Sequence, residues 1–184
     1  MDRSLVEAAQ RGDHGAFEAL AIGAADRLFA IARLILRDTH MAEDAVQEAL
    51  VHAWRELPRL RDPERFDAWL RRLLVNACAD QGRLRRRWSA EIQIVRVEPT
   101  ADDGIGSMAD RDQLERGFRR LKPEQRAVVV LHFYLGLTGP EIADTLGIPE
   151  GTAKSRLHYA TEALRAALEA DARGPVAATN GRPA

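Results

Sequence analysis

Lys154, Ser155, Arg156 and His158 bring ammonium, hydroxyl, guanidinium and imidazole groups into five consecutive positions with no carboxylate among them. Such a set suits hydrogen bonding to base edges in a major groove, while the small residues just upstream, Gly151 and Thr152, let a backbone approach phosphates. A second set, Arg72, Asn76, Asp80 and Arg83, recurs at steps of four, four and three, which places it on one largely basic side of a helix. The arginines 83, 85, 86 and 87 suit either a solvated helix end or a nucleic-acid face. A third set, Glu43, Asp44, Gln47, Glu48 and Arg55, lies opposite an apolar stripe.

Helices must position all three. Ala42, Ala45, Val46, Ala49, Leu50, Ala53, Trp54 and Leu57 share one helical face, with Asp38 or Thr39 as N-cap and Pro58 as the stop. Asp62-Pro63 opens a further helix whose buried stripe is Phe66, Trp69, Leu70, Leu73, Leu74 and Ala77. Leu5 to Ala9, Phe17 to Ile22 and Leu28 to Leu36 are expected as shorter helices broken by Gly12, Gly15 and Gly23. Downstream, Thr138 and Glu141 form a capping box, Gly147 supplies a left-handed turn and Pro149 opens the next helix. Two helices joined by so tight a turn cross steeply, the helix-turn-helix arrangement, with Ala153, Leu157, Ala160, Leu164 and Leu168 facing inward.

The predicted fold class is all-α: two small helical domains joined by a flexible linker. Apolar residues make up 46% of the 184, enough for packed cores, whereas Phe, Trp and Tyr make up only 5% and strand-like alternation is scarce. Residues 1–88 form the first domain. Residues 89–109, with Pro99, Gly104, Gly106 and several aspartates, form an acidic linker; 110–170 form the second domain, and 171–184 a disordered tail. The net charge of −1 hides an asymmetry, because a basic stretch from Arg65 to Trp88 precedes an acidic one from Ser89 to Glu115.

Other functions find little support. No glycine-rich phosphate loop follows a strand, no nucleophile has a supported base, and the five histidines and single cysteine lack metal-ligand spacing, so no catalysis, cofactor or metal is expected. No apolar run approaches the length of a membrane span, and a reduced cytoplasmic protein is the simplest reading. Cys78 fits an inert core position, with a redox role as the alternative. Trp54 and Trp69 fit the core, and the role of Trp88 is open.

Both halves resemble the extracytoplasmic-function (ECF) type of sigma-70 RNA polymerase sigma factors. Asp44-Ala45-Val46-Gln47-Glu48-Ala49 and Phe66 through Asn76 are similar to sigma region two. Leu121-Lys122-Pro123-Glu124-Gln125-Arg126, Gly136-Leu137-Thr138, Glu141-Ile142-Ala143 and Gly151 through Leu157 are similar to region four. The resemblance implies that Asp44, Gln47 and Glu48 dock on the clamp helices of the polymerase largest subunit, with the flap as a further contact. It implies that the loop with Arg61 and Asp62 holds a flipped minus-ten base, and that Arg72, Asn76 and Arg83 contact the melted strand. Lys154, Ser155, Arg156 and His158 would read the minus-thirty-five element, with Arg126 and Thr152 on the DNA backbone. An anti-sigma factor is a further implied partner. Where relatives place arginines after the recognition segment this chain has Tyr159 and Thr161, and Gly139-Pro140 replaces an aromatic and an acidic residue. A stand-alone helix-turn-helix regulator is the competing reading; it leaves the Asp44 to Asn76 set unexplained.

Overall fold

The computed structural model describes the backbone of residues 2–91 and 108–172 and the side chains of residues 2–82 and 114–170. Most of the expected linker and tail, at 92–107 and 173–184, thus lies outside the described residues, as do the side chains of Arg83 to Trp88. Eight α-helices are present among the described residues: α1 (Arg3–Gln10), α2 (His14–Leu36), α3 (Thr39–Glu56), α4 (Phe66–Glu91), α5 (Met108–Arg120), α6 (Pro123–Val129), α7 (Gly139–Leu146) and α8 (Glu150–Ala172). No strand occurs among them.

The first four helices pack on one another, α3 lying against both α2 and α4. Close approach is possible because the side of α3 that meets them is alanine: Ala42, Ala45, Ala49 and Ala53 are essentially inaccessible. Asp38 caps α3 by accepting the Met41 N–H at 3.0 Å. Asp62 accepts the Glu64 N–H at 3.0 Å, but it caps a single 3-10 turn, Pro63–Arg65, and α4 proper begins at Phe66.

One expectation is corrected here. Gly12, at φ +94°, does end α1, but α2 runs unbroken through Gly15 and Gly23. A glycine inside a helix costs about 0.5–1 kcal/mol. Burying one leucine or isoleucine returns about 1.5–3 kcal/mol, and α2 buries Leu20, Leu28, Ile31, Ile35 and Leu36 along one face. Packing outweighs the glycines.

In the second half α8 packs against α5, α6 and α7. The motif forms as its punctuation predicts. Glu141 accepts from the Thr138 N–H at 2.8 Å and from its hydroxyl at 2.7 Å. Those two bonds, the backbone one first, together with the nearby Arg71 charge, hold the Glu141 carboxyl below its usual value. Gly147 sits at φ +63°, its N–H bonded to Asp144 O and the Ile148 N–H to Ala143 O, so the last carbonyls of α7 are satisfied by a Schellman turn. A side chain at Gly147 would strain that left-handed backbone by about 1–2 kcal/mol.

The two helical parts are in contact. α6 and α7 pack against α2 and α4, and the apolar core runs without a break from Val6 to Ala160. This explains a second departure: α4 buries not only Phe66, Leu70, Leu74 and Ala77 but also Val75 and Cys78. A second packing partner covers the flank that a lone four-helix unit would leave wet.

Candidate nucleic-acid and partner interfaces

At the N-terminal end of α8, Lys154, Ser155, Arg156 and His158 are all exposed, while Ala153 and Ala160 are buried against the rest of the second half. The helix therefore offers one polar face and anchors the other. The Ser155 hydroxyl donates to Thr152 O at 3.0 Å, which leaves its lone pairs facing outward, and Thr152 itself is half-buried. Tyr159, 67% exposed, extends the same face and lies 5.5 Å from the His158 ring, between ring centres.

Arg126 is placed differently. Only 7% exposed, it donates from Nε to Ile35 O at 2.5 Å and from Nη1 to Phe118 O at 3.4 Å. In this arrangement it joins the two halves instead of facing a DNA backbone.

In the first half, Arg61 and Asp62 are exposed on the turn between α3 and α4. That turn is pinned from beneath: the Gln10 amide donates to Leu57 O at 3.2 Å and to Leu60 O at 2.7 Å. A loop so held can present a pocket without paying for its own ordering when a ligand arrives. Arg72 and Asn76 are exposed on α4, and Arg83 lies on the same helix with its side chain outside the described residues. Arg72 reaches the C-terminal end of α7, where Nη2 lies 3.6 Å from the position a Cβ on Gly147 would take.

The acidic helix face divides. Asp44 and Gln47 are exposed, but Gln47 borders an outer groove between α2 and α3, whereas Glu48 is half-buried and lines a cleft toward the second half. The outer groove, about 710 Å³, has an apolar floor that includes Phe17, Phe29, Val46, Leu50 and Trp54, with Glu18, Asp26, Glu43 and Gln47 at its edges. Sequence periodicity missed it, since the stripe of α3 reads as wholly buried. The alanines of that stripe are covered by α2 and α4; its large members are only partly so. Trp54 packs against His14 and Phe17 at 4.5 and 5.0 Å. The inner cleft, about 590 Å³, is lined by Glu48 and His52 of α3, Asn76 and Asp80 of α4, Glu124 of α6 and Arg156 of α8, among others.

Cys78 also touches that cleft but is 1% exposed, and burial pushes its thiol up to about 12. It stays protonated near neutrality and is a poor nucleophile. The native chain should therefore resist an aromatic disulfide reagent at pH 8 and release one equivalent only in denaturant; rapid reaction of the native chain would show an accessible thiolate.

Among the described residues no group of three or more His, Cys, Asp or Glu side chains could hold a metal ion, and no helix is long and apolar enough to cross a membrane.

Comparison with known proteins agrees with this arrangement over both halves. Residues 23–90 match Sigma-70 region 2 and residues 111–164 match Sigma-70, region 4. The chain is 37% identical over 136 residues to the ECF RNA polymerase sigma factor SigL of Mycobacterium tuberculosis, covering 72% of this chain and 77% of SigL. Among solved structures it is similar to CnrH in complex with the cytosolic domain of CnrY, at 30% identity and TM-score 0.64, covering 92% of this chain and 98% of CnrH. It is similar also to the sigma factor RpoE bound to the anti-sigma factor NepR from Bartonella quintana, at 27% identity and TM-score 0.67, covering 84% and 98%. Sigma factors bind RNA polymerase core and catalyse no reaction of their own. Carrying sigma-70 regions 2 and 4 in order, the chain belongs to the ECF family of RNA polymerase sigma factors, which direct transcription initiation.

Proposed function

We propose that the chain grips polymerase core through its first helical unit, 1–88, and divides promoter recognition between that unit and the second, 110–170, in the cytoplasm where core is found. The observation that carries this reading is the exposed cationic end of α8, directly behind the tight turn at Gly147, in a member of this family.

Core docks on α3 through Asp44, Gln47 and Glu48, aided by the groove beside Gln47. Its apolar floor and acidic edges suit a partner helix that is apolar on one stripe and basic beside it, the chemistry expected of clamp helices. The loop with Arg61 and Asp62 takes an unstacked minus-ten base, and Arg72, Asn76 and Arg83 follow the opened strand. Melting is then a population shift: single-stranded DNA bound better than duplex pulls the equilibrium open without nucleotide hydrolysis. Lys154, Ser155, Arg156 and His158 read the minus-thirty-five element as duplex, Thr152 steadying the phosphates. Arg126 can join Thr152 only once its bond to Ile35 is released. The flap is the expected support for the second unit. An anti-sigma partner is in keeping with the RpoE–NepR complex among the solved relatives.

The docking surface is tested by Gln47→Ala. Because Gln47 is exposed and off the buried face of α3, the fold should be kept while core affinity falls on the order of tenfold, about 1.4 kcal/mol. Core titration against fluorescent chain measures it; unchanged affinity would remove Gln47 from the interface.

A further inference from the structure

Side chains assigned to different partners meet in one place. Asn76, for the minus-ten strand, Arg156, for the minus-thirty-five duplex, and Glu48, for polymerase, all line the inner cleft of about 590 Å³. A space of that size holds a small molecule, not a duplex whose major groove alone is about 12 Å wide. The elements themselves, about 25 base pairs apart by their names, lie roughly 85 Å apart along B-form DNA. No promoter can satisfy Asn76 and Arg156 while they border the same cleft.

The contacts that hold this arrangement are specific. Arg126 of α6, buried, donates to the Ile35 carbonyl near the end of α2. Arg37, just past that end, pairs with Glu115 of α5. Arg37 also has φ +60°, the sole non-glycine residue with positive φ among the described residues. A bulky residue enters that region only when its surroundings impose it, and here the conformation accompanies a bridge between the halves. The Arg72 guanidinium lies at the C-terminal end of α7, where a helix presents its partial negative charge. At the seam between α4 and α6, a Cβ on Gly82 would stand 3.5 Å from the Pro123 Cβ.

We infer that the free chain is self-latched: α6 and α7 close over α2 and α4 through Arg126–Ile35 and Arg37–Glu115, hiding both promoter-reading faces in one cleft until polymerase opens it. This rests on the docking and recognition surfaces proposed above. The outer groove beside Gln47 lies on the other side of α3 from the cleft and stays open in the latched form. Core can therefore grip the first unit before the second is released, and free chain is kept from occupying promoters alone.

The seam supplies its own test. Disulfides need Cβ atoms about 3.5–4.5 Å apart, so Gly82→Cys with Pro123→Cys, in a Cys78→Ala background, should cross-link on mild oxidation of the full chain. The oxidised chain is expected to lose at least tenfold in promoter-specific transcription with core, and reductant should restore it. Failure of the cross-link to form, or oxidised chain working within twofold of reduced, overturns the latch. A reduced variant silent with core, while the unsubstituted chain is also silent, would instead break the family-based assignment of surfaces. Small-angle scattering of the unsubstituted chain decides the latch independently of those substitutions: a radius of gyration near about 16 Å supports it, and one well above about 20 Å, the sign of two separated lobes, sinks it.

Discussion

Alanine at both Lys154 and Arg156 is expected to cut transcription from an upstream-element-dependent promoter by about 30-fold or more while leaving core affinity within twofold. Each base contact made by such a side chain is worth about 1–3 kcal/mol of discrimination. Two of them lost together remove about 2 kcal/mol at the least, and 1.4 kcal/mol is tenfold. Both residues are exposed, and the buried residues of α8 that anchor it, Ala153, Ala160 and Ala167, are untouched. The fold should therefore survive, which thermal melting checks. Salt dependence adds a distinction. A lysine or arginine that grips only phosphate weakens all sequences alike and flattens the salt slope by about one per contact, whereas a base reader relaxes the preference at its own position. Unchanged promoter preference in the double variant would remove α8 from recognition.

The second large effect is structural. Phe66, 2% exposed, opens α4 directly behind the loop that carries Arg61 and Asp62, with its ring 5.9 Å from that of Trp69. Truncating a buried phenylalanine to alanine costs about 3–5 kcal/mol through lost transfer energy and the cavity left behind. Domains of this size hold only about 5–15 kcal/mol in all. Phe66→Ala should lower the midpoint of thermal unfolding by at least about 12 °C, taking about 4 °C for each kcal/mol. Minus-ten recognition should fail even below that midpoint, because the loop loses the anchor that fixes its exit. A fall of only a few degrees would show that Phe66 is not the keystone of this end of α4.

Local grammar was legible. Asp38 as cap, the Thr138–Glu141 box and Gly147 as the left-handed stop each act within four residues, so neighbouring side chains and backbone settle them. The alanine stripe of α3 and the leucines of α4 were readable for the same reason, since helical spacing alone assigns them to one face. What failed depended on distant partners. Gly23 reads as a breaker until the continuous buried face of α2 is weighed against it. Val75 and Cys78 read as flank until α6 and α7 cover them. Trp54 and Val46 read as interior, although α2 is too narrow to cover them fully and a groove results. Arg126 reads as a surface cation in a helix-turn-helix unit; its burial against Ile35 requires knowing that residues 91 positions apart meet. The acidic stretch of the linker was read as one block, yet Glu115 at its end pairs with Arg37 on another helix.

The same distant contacts frame the mechanism. A chain with a net charge of −1 needs its cations arranged, not merely present. Those of α8 are held at one helix end, where they can meet DNA as a group. Those of α4 line a face that the second half partly covers. Exposure of each therefore depends on how the two helical parts sit, and polymerase is the partner whose size and number of contacts can reset it.

The most direct measurement is reconstituted transcription. Purified chain is mixed with core polymerase and a library of promoter fragments, and the starts of the RNA products are mapped. Discrete starts that require the chain, downstream of paired sequence elements, and that vanish with the Lys154 and Arg156 alanine pair, are the predicted result. Core that gains no specific start from the chain, or promoters bound tightly by the chain without core, would contradict it.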